Sequence, residues 1–110
     1  MSEHTLETTF ETLRRAFQPQ KARGVEATIQ YVLTGEGACE FFGTLRDGAL
    51  ELQAGRAPKP KVTLTMAVPD FWQMLEGKLG AMAAFTGRKL AVEGSVLFAM
   101  KLDPIFKFRG

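Results

Sequence analysis

The sequence contains very few of the side chains that build most metal and nucleophilic sites. Its 110 residues include one cysteine, Cys39, and one histidine, His4. A lone cysteine cannot form an internal disulfide, which fits a reducing compartment. One cysteine and one histidine also fall short of the ligand set of a zinc site. His4 lies in the first turn of the chain, where ends fray. We therefore expect no metal, no cofactor and no catalytic residue.

Long apolar runs and targeting signals are also missing. No stretch approaches the roughly 18 apolar residues that a membrane-spanning helix needs. The opening MSEHTLETTFETLRR lacks the basic and then apolar regions of a secretory signal. Apolar residues make up 45% of the chain and charged residues 24%, as in ordinary globular proteins. These features predict one cytoplasmic domain that spans residues 1–110.

Charge of either sign is nearly balanced, with a formal net charge of +2. The basic residues form three groups: Arg14, Arg15, Lys21 and Arg23; Arg56, Lys59 and Lys61; and Arg88 with Lys89. A solvated rim is the simplest interpretation, and transient contact with an anionic membrane surface or a ligand carboxylate is the alternative. No aromatic residues are interleaved with these charges in a stacking pattern, so we expect no nucleic-acid partner.

The first half of the chain predicts a helix followed by a β-meander. Leu6, Phe10, Leu13 and Phe17 form an apolar stripe on a helix over residues 5–17. Apolar and polar residues alternate from Val25 to Thr34, as in a half-buried strand. The pair Asp47-Gly48 is a strong hairpin signal, and hairpin-linked strands must be antiparallel.

The second half predicts shorter elements. Pro69 and Asp70 suit the first turn of a helix that runs to about Glu76. A second short helix covers residues 81–86, and Leu90 and Val92 mark a final strand. Ser95 is expected to cap a last helix, which Pro104 stops. This order predicts an α+β domain with helices covering one sheet.

Soft apolar side chains are concentrated between Pro60 and Leu102. This segment holds four of the five methionines and the only tryptophan, Trp72. Methionine adapts to irregular shapes, so its helical faces can close a core or line a cavity. Spacing alone favours the plain core.

The same segment carries a family resemblance. Its successive features are VTLTM, Asp70-Phe71, Gly77-Lys78-Leu79, Ala84-Phe85, Gly87, Lys89-Leu90, Gly94 and Ala99-Met100-Lys101-Leu102. In order and spacing they resemble the C-terminal half of the sterol carrier protein (type two) lipid-transfer family. The match is specific over residues 62–102 and weaker over residues 1–55. Val96 and Phe98 are bulkier than the family pattern.

The resemblance implies a five-stranded mixed, largely antiparallel sheet, covered by helices that enclose an apolar tunnel. It implies binding and transfer of fatty acids, acyl-CoAs, sterols or similar lipids. The implied lipid-binding residues are Phe71, Met74, Leu75, Leu79, Met82, Phe85, Val96, Phe98, Met100 and Leu102. Lys21 and Arg23 are candidates for contact with a lipid headgroup at the tunnel mouth.

Catalysis has little support in the sequence. No serine lies in a GxSxG elbow, and Cys39 reads as a small buried hydrophobe within a strand. Glu40 and Glu51 could be imagined as an acid and base across a hairpin, but nothing local raises either pKa. The alternative to a lipid carrier is a non-catalytic accessory or dimerisation module that docks onto an enzyme of lipid metabolism. Its candidate contact is the tail with Ile105, Phe106 and Phe108, which also allows a homodimer.

Overall fold

The structure, a computed structural model, describes residues 6–106, with residues 103 and 104 described by their backbone alone. Over this range the chain forms four α-helices, five β-strands and a short 3-10 turn at Pro19–Lys21. In chain order the elements are α1 (Leu6–Ala16), β1 (Glu26–Thr34), β2 (Cys39–Arg46), β3 (Ala49–Ala54), β4 (Val62–Ala67), α2 (Val68–Leu75), α3 (Ala81–Thr86), β5 (Leu90–Gly94) and α4 (Val96–Ile105). None of the helices within residues 6–106 has the length and apolarity that crossing a bilayer requires.

The strands form one mixed sheet in the order β3-β2-β1-β4-β5. Only the β1–β4 pair is parallel among these strands; the other three pairs are antiparallel. At the β2–β3 hairpin, Arg46 pairs with Ala49 across the turn. Asp47 and Gly48 there have φ angles of +46° and +84°, as a two-residue type I′ turn requires. The predicted α+β class and mixed five-stranded sheet are confirmed.

All four helices cover one face of the sheet, the face of Tyr31, Phe41 and Leu64. An aromatic cluster joins α1 and α2 to this face. The ring of Tyr31 stacks on Phe41 with centroids 4.7 Å apart. Phe10 of α1 and Phe71 of α2 meet the Phe41 ring edge-on at 5.3 and 6.2 Å. The aromatic part of the core therefore lies beneath α1 and α2.

The opposite face is covered locally by the segment that connects β3 to β4. Alternation along β1 predicts that Gln30 faces water, but its side chain is only 2% exposed. Its amide nitrogen lies 3.0 Å from the Gly55 carbonyl oxygen, and its amide oxygen accepts a 2.7 Å hydrogen bond from the Ala57 N–H. The connecting segment thus passes over Gln30 and buries it.

The C-terminal helix differs from its prediction. As expected, the Ser95 hydroxyl accepts a hydrogen bond from the Phe98 N–H at 3.1 Å. The prediction that Pro104 stops the helix was wrong, because α4 runs to Ile105. The Phe106 N–H still bonds to the Leu102 carbonyl, so the proline falls where the helix is already ending.

The predicted contact tail is partly internal. Ile105 and Phe106 are both buried, and Phe106 forms a β-bridge with Phe17. Neither can serve as a surface contact, because their apolar side chains already complete the core. Phe108 and His4 lie outside the described residues.

Candidate ligand-binding cavities

A cavity of about 350 Å³, here called the inner cavity, lies between the sheet and its helices. Six of its lining residues are buried, and they come from α1, β1, α2, β5, α4 and the residue after α4. They are Leu13, Tyr31, Phe71, Leu90, Leu102 and Phe106. The volume falls at the lower end of the range for small-molecule sites. Elements distant in sequence therefore surround a partly open space that they do not fill.

A second cavity of about 260 Å³, here called the outer cavity, adjoins the first between α3, β5 and α4. Ala81, Leu90 and Ala99 line both cavities. Four lining residues of the outer cavity are exposed at the protein surface: Met82, Phe85, Val96 and Met100. The outer cavity therefore opens to the surface between α3 and α4, and the inner cavity also reaches the surface at the exposed residue Gly80.

The ten residues predicted to contact lipid divide into three groups. Phe71, Met74, Leu79 and Leu102 line the inner cavity. Met82, Phe85, Val96 and Met100 line the outer one. Leu75 and Phe98 are buried in the core and line neither cavity. Of the two bulky departures from the family pattern, Val96 therefore borders the outer cavity, whereas Phe98 packs inside.

The predicted headgroup contacts lie elsewhere. Lys21 ends the 3-10 turn after α1, Arg23 precedes β1, and both are exposed. Neither lines a cavity. A different cation, Lys61, lies next to one of the predicted lipid-binding residues. Its ammonium nitrogen is 5.7 Å from the centre of the Phe98 ring.

Sequence reasoning missed the polar group of the inner cavity, Tyr31. Its position two residues from Ile29 and from Leu33 correctly places it on their buried face of β1, but this pattern does not reveal the cavity beside the ring. Burial raises the pKa of the Tyr31 hydroxyl well above its usual range, so the group is a neutral hydrogen-bond donor at physiological pH. Among the described lining residues of both cavities, Tyr31 is the only one whose side chain carries oxygen or nitrogen.

The charged groups of β2 lie away from the cavities. Glu40 receives two hydrogen bonds of 2.8 Å from the Arg56 guanidinium, which lower the pKa of its carboxyl. Glu51 pairs with Thr44 in the sheet, so it does not face Glu40 as an acid and base would need. Cys39 is half-buried. Its burial and, to a smaller extent, the negative charge of Glu40 raise the pKa of its thiol. Among the side chains that the structure describes, no cluster of three metal-ligating groups occurs.

Comparison with known proteins supplies independent information. The SCP-2 sterol transfer family matches residues 10–107 of this chain. Mouse (Mus musculus) hydroxysteroid dehydrogenase-like protein 2 is 29% identical over 101 residues, which are 91% of this chain and 21% of that protein. The chain thus spans about a fifth of the length of this curated relative.

Solved structures share the fold. A palmitated SCP2L2 from Aedes aegypti has a TM-score of 0.78 at 23% identity, covering 97% of this chain and 99% of that one. A stereoselective inverting sec-alkylsulfatase from a Pseudomonas species has a TM-score of 0.82 at 22% identity, covering 97% of this chain but 17% of the sulfatase. The same fold therefore occurs both as nearly a whole chain and as a small part of a larger enzyme.

Proposed function

The chain belongs to the SCP-2 sterol transfer family, and on that premise we propose that residues 1–110 form a non-catalytic, cytoplasmic lipid carrier. In this proposal the apolar chain of the lipid lies in the inner and outer cavities, which join into one tunnel when it is bound. The supporting observation is that two cavities with predominantly apolar linings meet at Ala81, Leu90 and Ala99.

The energetics favour such a carrier. Burial of each methylene gains about 0.8 kcal/mol, so a sixteen-carbon chain gains on the order of 12 kcal/mol before costs. Lost translational and rotational freedom offsets part of this gain and leaves affinities of roughly micromolar to nanomolar. Apolar walls are therefore sufficient for useful binding, and polar groups are needed only for selectivity.

A charge placed in the outer cavity should abolish binding. Phe85 lines that cavity and is partly exposed, so Phe85→Glu puts a carboxylate beside the acyl chain without burying a charge in the core. We expect loss of saturable, one-to-one binding in fluorescent fatty-acid displacement, with the circular dichroism spectrum unchanged. Native mass spectrometry of the purified wild type should show co-purified lipid.

Leu97→Glu is the matched control. Leu97 lies on α4 and is 75% exposed, but it lines neither cavity. The same charge there should leave lipid affinity within about twofold, since surface substitutions usually have small effects. Absence of both saturable binding and co-purified lipid in the wild type would refute the carrier function.

We propose further that the carrier meets anionic membranes through the α3–α4 patch. This patch consists of the exposed apolar residues Met82, Phe85, Val96, Leu97 and Met100. Arg88 and Lys89 follow α3, and Lys101 lies one turn from Leu97 on α4. Exposed apolar side chains with cations close by in sequence suit an anionic lipid surface. One acidic residue, Glu93 on β5, is also exposed and close by in sequence. Docking there would place the outer cavity against the bilayer.

The second candidate is an accessory or dimerisation module. It is supported by the relatives in which the matching segment is about a fifth of a longer chain. In that case the α3–α4 patch would bind protein, and the cavities would stay without lipid. Light scattering that shows a stable dimer together with the absence of saturable lipid binding would favour this candidate over the carrier.

A further inference from the structure

The inner cavity is lined by a tyrosine whose hydroxyl has no hydrogen-bond partner among the described residues. Tyr31 is 6% exposed and lines this cavity. No described residue accepts a hydrogen bond from its hydroxyl, although its ring contacts Phe41 and Phe71. In the described residues, every side-chain oxygen or nitrogen that is fully buried has a hydrogen-bond partner. The Tyr31 hydroxyl therefore borders open space, and the space that Tyr31 lines is the inner cavity.

An unsatisfied hydroxyl on a largely apolar wall is costly. Buried polar groups almost always find a partner, and leaving one without a partner loses most of its hydration energy. A resident water would need two or more polar neighbours. Among the described lining residues of both cavities, Tyr31 offers the only oxygen- or nitrogen-bearing side chain. Backbone groups of Gly77, Gly80 and Ala81 also line the inner cavity, so a water at the hydroxyl would rely on backbone partners, and a ligand oxygen can replace it.

The charge of the ligand group that meets Tyr31 follows from the residues that line the cavities. Neither cavity has a lysine or arginine among its described lining residues. A carboxylate or phosphate at Tyr31 would thus lie in a largely apolar space with only neutral donors and no cationic side chain among the described lining residues, which is unfavourable. A neutral oxygen carries no such penalty.

We propose that the Tyr31 hydroxyl donates a hydrogen bond to a neutral hydroxyl or carbonyl oxygen at the end of the lipid that enters the inner cavity first. This inference rests on the proposed carrier function and adds its ligand class and orientation. Long-chain alcohols, sterols and neutral esters fit, with their oxygen innermost. Fatty-acid anions would bind in the reverse direction, with the carboxylate outside.

The test compares 1-hexadecanol with palmitate at pH 8, each displacing a fluorescent fatty acid from wild type and from Tyr31→Phe. The substitution keeps the ring that stacks on Phe41 and removes only the hydroxyl. Loss of one neutral hydrogen bond should weaken hexadecanol binding about 3- to 10-fold. Palmitate affinity should change less than about twofold, so the ratio of the two affinities falls.

Met74→Leu is the matched control, because Met74 lines the same cavity and carries no hydroxyl. It should change both affinities in parallel and leave their ratio constant. An unchanged ratio in Tyr31→Phe, or equal losses for both ligands, would overturn the assignment while the carrier function stood. No saturable binding of either ligand by wild type would overturn both.

Discussion

Gln30 shows how one residue can fix a long connection. Its amide nitrogen lies 3.1 Å from the Phe41 carbonyl oxygen and 3.0 Å from that of Gly55. Its amide oxygen accepts a hydrogen bond from the Ala57 N–H. One side chain on β1 thereby contacts β2 and two residues, Gly55 and Ala57, of the segment that connects β3 to β4. Because these groups are buried or partly buried, they depend on Gln30 for hydrogen bonds that water cannot easily replace.

Replacement of Gln30 by alanine should lower the free energy of unfolding by about 2–3 kcal/mol, because several backbone groups lose their partner at once. Urea denaturation measures this loss. Gln53→Ala is the control, since Gln53 is exposed on β3, and it should change stability by less than about 0.5 kcal/mol. Equal effects of the two substitutions would show that the buried amide does not hold the connection.

At the scale of elements, the junction of β5 and α4 is tightly constrained. Gly94 pairs with Val62 of β4 and has a φ angle of +96°. A Cβ at this position would lie 2.5 Å from the Lys61 carbonyl oxygen, closer than real Cβ contacts allow. That carbonyl also accepts a hydrogen bond from the Ser95 N–H at 3.1 Å. The absence of a side chain at Gly94 thus lets α4 begin immediately after the strand.

Substitution of Gly94 by alanine should destabilise the protein by about 2–4 kcal/mol, through both the clash and the unfavourable φ. Thermal and urea unfolding would report the change. In contrast, an alanine Cβ at Gly80 meets open space, and Gly80→Ala should cost less than about 1 kcal/mol. A Gly94→Ala protein as stable as Gly80→Ala would mean that the junction can relax.

Local signals explain which elements could be predicted from sequence. The predicted bounds of α3 match the structure, in which Gly80 and Gly87 are the residues that flank the helix. The Asp47-Gly48 turn was recognised because its backbone needs positive φ at both residues. Pro104 misled the prediction of α4, because a proline near a helix end removes only a terminal hydrogen bond.

The candidate site was less accessible to sequence reasoning than the fold. Helical periodicity identifies an apolar face, but it does not distinguish a side chain that borders a void from its neighbour in the core. Met74 and Leu75 are adjacent in α2, yet of the two only Met74 lines a cavity. Tyr31 and Gln30 were missed because their surroundings come from distant segments, which alternation along β1 cannot reveal.

At the scale of the whole molecule, the residues proposed to bind lipid and those proposed to meet the membrane overlap only in part. Met82, Phe85, Val96 and Met100 belong to both the outer cavity and the α3–α4 patch, whereas Tyr31 lines only the inner cavity and Leu97 belongs only to the patch. Substitutions at Tyr31 and Leu97 should therefore separate affinity from transfer rate.

The Leu97→Glu variant should transfer a fluorescent fatty acid between vesicles of phosphatidylcholine and phosphatidylglycerol about fivefold or more slowly than wild type. An added negative charge on the patch opposes contact with an anionic surface. Stopped-flow transfer assays measure this rate, and added salt should narrow the gap between the two proteins because it screens exposed charges. Equal rates for both proteins on these vesicles would refute docking through the patch.

The wall shared by the two cavities makes ligand length a trait that can vary without altering the sheet. Two of its three residues, Ala81 and Ala99, present a single methyl group each, and they lie on helices rather than on strands. In the proposed carrier, a larger side chain at either position should keep the two cavities apart and so favour shorter lipid chains.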